Sequence, residues 1–228
     1  MTLRVFHDGA LVVGDAITIR GDEHHYLRRV RRARIGASVD VLDGFGTAVR
    51  AELTRLDDRS ASLRIDAAHD ATGDGPLELW LGIPDGPACL EAISGACELG
   101  CTRLVLVRCL HSAPTVPNAA RIDRVIRAAM RQSGLPTPPA IEGPTALEAV
   151  LGAHDDPCGF FAWERIRGEA TPIDADLPRR LLVGPEGGLT HDEAALCRAH
   201  GMQALSLGPF TLRTPTAVVA GLSRLRAT

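Results

Sequence analysis

A short apolar run that meets a glycine-rich turn and then a helix start, Arg180-Leu181-Leu182-Val183-Gly184-Pro185-Glu186-Gly187-Gly188-Leu189-Thr190-His191-Asp192-Glu193, constrains this chain more than any other stretch. It reads as strand, loop, helix. Arg180-Leu181-Leu182-Val183 has the length and composition of a buried strand. Thr190 and Glu193 make a capping box, whose hydroxyl and carboxylate close the first orphan amides of a helix that runs to His200 and stops at Gly201. Pro185 stiffens the loop, and the glycines let bare backbone approach a ligand closely. The loop is therefore a candidate small-molecule site. Strand-to-helix loops also carry glycine for geometry alone, and the loop by itself leaves both readings open. The spacing is neither G-x-G-x-x-G nor the P-loop pattern, so phosphate cradling is not its natural role.

The rest of the 228 residues sets bounds on that site. A net charge of −3 offers nucleic acid no global attraction, so any such contact must come from a local patch. Every basic residue is Arg, a bias shared with the many Ala, Gly and Pro, so Arg usage alone does not signal phosphate recognition. No apolar run reaches the roughly 18 residues of a membrane span. Met1-Thr2-Leu3-Arg4-Val5-Phe6-His7-Asp8 lacks the apolar core of a secretory signal, so a cytoplasmic protein is expected. Cys89, Cys97, Cys101, Cys109, Cys158 and Cys197 form no C-x-x-C pair and no cluster with His at zinc spacing. Reduced, packed thiols and no metal are expected.

From Leu3 to about Asp66 the sequence favours short strands: Ala16 to Ile19, Ser38 to Leu42, Ala48 to Leu56 and Ser60 to Asp66, most with a period of two. Asp43-Gly44 marks a hairpin between two of them, and a small β-barrel is the expected product. The aperiodic stretch from Ala67 to Pro76 reads as a linker, which sets the expected domains at 1–72 and 73–228. Within the first, a helical turn opened by acids carries Arg28, Arg29, Arg31, Arg32 and Arg34. Guanidinium groups so crowded favour an anionic partner, because each can bind phosphate bidentately, and RNA is the partner expected. His24 and His25, without further ligands at metal spacing, suit stacking or phosphate contact better than a metal.

After the linker, strand and helix alternate. Leu77 to Ile83 and Arg103 to Cys109 read as strands around a helix from Ala88 to Leu99, the pattern of a parallel α/β sheet. Asn118 caps a helix whose Ile122, Val125, Ile126, Ala129 and Met130 form one apolar stripe, with Arg121, Arg124, Arg127 and Arg131 on the other face, which is expected to be solvated, with RNA contact as the alternative. Further strands are expected at Ala140-Ile141 and Phe160 to Trp163. Glu164 then stands, like the loop at Gly184, at the carboxyl end of a strand, where open α/β sheets bind ligands. A third such loop runs from Leu207-Gly208 to Leu212-Arg213, with Thr214 expected as helix N-cap and Pro215 at the first helical position.

These residues resemble the SPOUT-class 16S ribosomal RNA uridine N3-methyltransferases, the RsmE family. Gly184-Pro185-Glu186-Gly187-Gly188-Leu189-Thr190 with Glu193 looks like that family's GPEGG signature, and Leu207-Gly208 through Leu212-Arg213-Thr214 looks like its second cofactor loop. Ala96-Cys97-Glu98-Leu99-Gly100, Arg131-Gln132-Ser133-Gly134 and His25 with Val30-Arg31-Arg32 are similar to three further motifs, in the same order along nearly the whole chain. The resemblance implies an α/β fold with two domains, an N-terminal PUA-like, RNA-binding β-barrel and a C-terminal SPOUT-type domain with a trefoil knot that binds cofactor and dimerises. It implies S-adenosylmethionine held by Glu164, Gly184, Pro185, Glu186, Gly187, Gly188, Leu207, Gly208 and Leu212, and a homodimer acting on 16S ribosomal RNA or the small ribosomal subunit. Arg213, beside the cofactor loop, is the candidate for steadying charge on the uracil as N3 loses its proton. Arg4, His25, Arg28, Arg29, Arg31 and Arg32 are the candidates for RNA contact.

The chain departs from the family pattern at Pro215, where a carboxylate is usual, at Ile83-Pro84-Asp85, where a Lys is common, and at Leu135, where an Arg usually follows Q-S. Each change removes charge from the expected RNA or cofactor side. A non-catalytic or altered-substrate RNA-binding relative is therefore the alternative. A nucleotide-dependent oxidoreductase is disfavoured because the dinucleotide fingerprint and its distal acid are missing.

Overall fold

A computed structural model describes residues 2–69, 75–153, 159–166 and 172–227. The centre of the expected linker and Cys158 lie outside these residues. The chain divides into two compact units, Met1–Thr72 with Met130–Pro138, and Gly73–Ala129 with Pro139–Thr228.

In the first unit, β1 (Leu3–Phe6), β2 (Ala16–Ile19), β3 (Ser38–Leu42), β4 (Ala48–Leu56) and β5 (Ala61–Ala68) form one sheet in the order β1-β3-β4-β5-β2. β1 runs parallel to β3 and the other pairs are antiparallel, giving a mixed half-barrel with β1 and β2 at its ends. The period-two reading of β5 is realised, since Ala61, Leu63 and Ile65 point into the core with Val39, Val41 and Leu53. The Asp43-Gly44 signal makes the β3–β4 hairpin, with Asp43 Oδ1 accepting the amides of Phe45 (2.7 Å) and Thr47 (2.9 Å). Between β2 and β3 the chain forms α1 (Gly21–His25) and a π-helical turn, Tyr26–Val30, whose Leu27 fills the core at 0% exposure.

Two side chains expected to face RNA or solvent are structural. His24 is buried, its Nε2 2.9 Å from the Asp57 carbonyl. Arg131 pairs with Glu23 and lies over the rings of Phe6 and Tyr26, 5.7 and 5.0 Å from their centroids. Cation–π contact and the ion pair draw this guanidinium inward, so the solvated face expected for its helix does not extend to it.

In the second unit, β6 (Glu78–Gly82), α2 (Gly86–Glu98), β7 (Arg103–Arg108), α3 (Ala119–Ser133), β8 (Ala140–Ala146), α4 (Leu147–Gly152), β9 (Gly159–Ala162), β10 (Arg180–Val183), α5 (His191–Ala199), β11 (Met202–Leu205) and α6 (Thr214–Arg226) follow in order. The sheet runs β11-β9-β10-β6-β7-β8 and every pair is parallel. β10 is central, and Leu181, Leu182 and Val183 are buried as its apolar run requires. Asn118 caps α3 through a 3.0 Å bond from the Arg121 amide to Oδ1, and Ile122, Ile126 and Ala129 are buried.

The helix after the third loop corrects the expected cap. Arg213 is the N-cap of α6, without a side-chain bond, and Thr214 is the first helical residue. Thr214 Oγ1 donates instead to the Gly184 carbonyl at 3.2 Å, which ties the start of α6 to the glycine loop. Most apolar residues of α6 are covered within the chain, and Val219 remains 43% exposed. Val218, Leu222 and Leu225 are fully buried, and methyl groups placed on Gly95 and Gly221 would come within 2.6 Å of Val219 and 2.5 Å of Leu181, so α6 rests closely on α2 and β10. Among the described residues no helix is long and apolar enough to cross a membrane.

Cys89, Cys97, Cys101, Cys109 and Cys197 are free and buried. Loss of hydration raises their thiols, Cys89 and Cys101 to about 11 and Cys97 and Cys197 to about 12.

Candidate functional site

The carboxyl ends of β9, β10 and β11 run into the three loops singled out in the sequence, and together these enclose a cavity of about 280 Å³. Glu164, Gly184, Pro185, Glu186, Gly187, Gly188, Leu207, Gly208 and Leu212 all line it. Parallel packing explains the convergence, since strands of one direction deliver their following loops to one edge of the sheet. Trp163, Phe210, Thr211 and Thr214 line it as well. Phe210 and Thr211 lie within the third loop expected from the sequence but were not singled out there, and Trp163 and Thr214 adjoin Glu164 and Arg213, which were.

The first loop is held from three sides. The Gly188 amide donates to the Pro185 carbonyl at 2.8 Å, closing a turn in which Gly188 has φ +70°, a backbone state costly for any residue with a Cβ. His111, after β7, places Nδ1 3.1 and 3.3 Å from the carbonyls of Gly187 and Gly188, which requires a proton on Nδ1. Glu186 Oε1 accepts the Asp85 amide at 2.9 Å, while the Asp85 side chain caps α2 by accepting from Ala88. The segment where the resemblance leads one to expect a lysine thus serves as a helix cap tied to the glycine loop. At the base of the third loop, buried Ser206 donates to the Ile166 carbonyl at 3.0 Å, and Arg224 of α6 donates to the Ser206 carbonyl at 2.6 Å.

Around this backbone the walls are apolar and the charges acidic. Trp163, Val183, Leu189, Leu207 and Leu212 supply hydrophobic surface, and Glu164 and Glu186 are the charged side chains of the lining among the described residues. A methyl group on Gly188 would lie 3.3 Å from Glu164 Oε1, so that carboxylate sits directly against the glycine loop. Such a lining suits a small ligand that carries an apolar ring and a positive charge. Among the described residues no group of His, Cys, Asp or Glu could hold a metal ion.

Arg213 follows Leu212 but is not in the lining. Its side chain is 77% exposed and reaches toward Glu91 at 3.8 Å. Of the residues considered for RNA contact, His25, Arg29 and Arg32 are exposed. Arg28 pairs with Asp58, and Arg31 lies 5.8 Å over the Tyr26 ring with Nη2 3.4 Å from the Thr2 carbonyl. Arg4 is turned inward, donating to the Arg131 and Gln132 carbonyls, with Nε 3.6 Å from buried Asp40. Arg32 has φ +50°, an unusual state for a side chain of its size.

Residues 74–226 match the family model for an RNA methyltransferase domain, and residues 19–66 match that for an RNA methyltransferase PUA domain. The chain belongs to the RNA methyltransferase family. It is 29% identical over 227 residues to the ribosomal RNA small subunit methyltransferase E of Synechocystis sp., covering 95% of this chain and 74% of that one. The enzyme of the same name from Mycobacterium bovis is 29% identical over 233 residues, covering 92% and 85%. Among solved structures, the methyltransferase E of Neisseria gonorrhoeae bound to S-adenosyl methionine shares the fold, with a TM-score of 0.82 and 24% identity over 100% of this chain and 98% of that one. The half-barrel is thus a PUA-like module, and the parallel sheet with its three converging loops is the methyltransferase part of the family fold.

Proposed function

We propose that the protein transfers the methyl group of S-adenosylmethionine to N3 of a uridine in the 16S ribosomal RNA, working as a cytoplasmic homodimer. The observation that carries this reading is the convergence of the loops at Gly184 and Leu207 on one cavity, in a chain of the RNA methyltransferase family. The cofactor, when bound, supplies an electrophilic methyl on a sulfonium. The chain supplies place and surroundings. Residues Gly184 to Gly188 and Leu207 to Leu212 hold the ligand through backbone groups, and Trp163, Leu189 and Leu212 keep water from the reacting atoms, so that most of the rate gain comes from alignment.

Residues 1–72 serve as the RNA-binding module, with Arg29, Arg32 and His25 outward and Arg4, Arg28 and Arg31 completing the contact surface as RNA docks. Residues 73–228 bind cofactor and dimerise, in a domain whose chain closes a trefoil knot. Arg213 provides the positive charge that steadies the uracil as N3 loses its proton, which requires its guanidinium to leave Glu91 and turn toward the substrate.

The acidic lining and the outward Arg213 favour a second reading, an RNA-binding relative that holds the cofactor without turnover. Incubation with labelled S-adenosylmethionine and small subunits lacking the modification, followed by mass spectrometry of the RNA, separates the two. Methyluridine is expected in the 16S RNA, and Arg213→Ala should lower turnover at least tenfold with cofactor affinity kept. Cofactor binding without methyl transfer would leave the second reading in place, and absence of cofactor binding would overturn both.

A further inference from the structure

Glu164 stands apart among the acidic groups of the cavity. Glu186 spends Oε1 on the Asp85 amide, whereas among the described residues neither oxygen of Glu164 accepts a hydrogen bond. Its one ionic neighbour there is Arg165, whose Nε lies 3.7 Å from Oε1, beyond hydrogen-bond length. That guanidinium is engaged elsewhere, with Nη1 2.5 Å from His191 Nε2 and its carbon 5.5 Å over the Trp163 ring. The Glu164 side chain is 34% exposed, is paired with one half-exposed arginine at ion-pair but not hydrogen-bond distance, and forms part of the cavity wall against Gly188. A carboxylate held in this way against apolar surface favours a cation in the space beside it.

On the reading of the cavity as an S-adenosylmethionine site, its two natural occupants differ by one charge. The substrate carries a sulfonium, and the demethylated product S-adenosylhomocysteine carries a neutral thioether at the same atom. We propose that Glu164 makes the cavity select the sulfonium form over the thioether product, by keeping in the cavity wall a carboxylate whose oxygens accept no hydrogen bond among the described residues. The residue then acts on specificity and on product release: methyl transfer removes the charge that Glu164 attracts, and the spent cofactor is held less tightly. A glutamate that served only to accept hydrogen bonds from the ligand's sugar would hold both forms equally.

Titration calorimetry of the full chain with S-adenosylmethionine and with S-adenosylhomocysteine, in the parent and in Glu164→Gln, reads this directly without RNA or turnover. Glutamine keeps the shape and an acceptor oxygen and removes the charge. The parent should bind the sulfonium form more tightly relative to the thioether than the variant does, with the affinity ratio falling roughly fivefold on substitution, the scale of one partly exposed charge pair. The ratio for the parent should also fall as salt is raised, a measurement that needs no variant. Equal losses for both ligands in Glu164→Gln, or a parent ratio indifferent to salt, would overturn the proposal and assign Glu164 to the sugar or to the loop. If neither compound binds the parent, the cofactor reading itself falls and this inference with it.

Discussion

One carboxylate of α5 joins two loops: Glu193 Oε1 accepts the Leu110 amide at 2.7 Å while Oε2 accepts the Thr190 amide at 2.8 Å, closing the capping box. Thr190 Oγ1 in turn accepts the Glu193 amide at 3.1 Å. The residue that starts the helix after the glycine loop therefore also fixes the loop after β7, and through it His111, whose Nδ1 donates to the glycine loop.

Glu193→Ala removes a cap and leaves the Leu110 amide without its acceptor. A loss of about 1–3 kcal/mol in unfolding free energy is expected in denaturant titrations. Cofactor affinity should fall with it. Glu193→Gln, which keeps an acceptor oxygen for one of the two amides, should lose less than half as much.

Gly187 and Gly188 are intolerant for different reasons, which their variants should reveal. Gly188→Ala meets its own backbone, since φ is +70°, at a cost of about 1–2 kcal/mol wherever its neighbours lie. At Gly187 the obstacle is His111, because a methyl group there would approach the His111 Cβ to 2.7 Å. Calorimetry with S-adenosylmethionine should find both single variants weakened. Replacing His111 with Gly should restore much of the affinity of Gly187→Ala and none of that of Gly188→Ala.

The arginine surface of the first unit gives a salt-dependence test. Arg29 and Arg32 are exposed, whereas Arg28 is paired with Asp58. Replacing Arg29 and Arg32 with Ala should reduce the slope of log affinity for single-stranded RNA against log salt by about 0.7 for each phosphate that is no longer neutralised, with S-adenosylmethionine affinity kept. Arg28→Ala should change the slope less, since its pairing with RNA competes with Asp58. Slopes equal to the parent's in the double variant would assign these arginines to solvent.

Burial predicts thiol chemistry with a definite sign. Desolvation raises Cys89 and Cys101 to about 11 and Cys97 and Cys197 to about 12, so raising the pH through the ordinary thiol range near 8.5 creates almost no thiolate at these positions. Maleimide labelling of native protein between pH 7 and about 9, read by peptide mass spectrometry, should leave all four unmodified. Rapid labelling should appear once denaturant unfolds the chain.

Local signals determined a great deal by themselves. The bounds of β2, β3, β4 and β10 are those expected from alternation and apolar runs, and the capping box of Thr190 and Glu193 forms as written, because strand period and helix caps depend on residues within a few positions of one another. The strand-loop-helix order also placed Glu164 and the glycine loop at strand ends. Only tertiary structure decided which strands are neighbours. β10 lies between β9 and β6, a placement that gathers loops distant in sequence on one cavity. It decided, too, which polar groups meet: Thr214 looks like an N-cap in sequence but pairs with the Gly184 carbonyl, and Arg131 looks like one arginine of a wet face but lies over Phe6 and Tyr26. In each case the partner is distant in sequence, so no local pattern could announce it, and the contact exists only because the fold brings the two segments together.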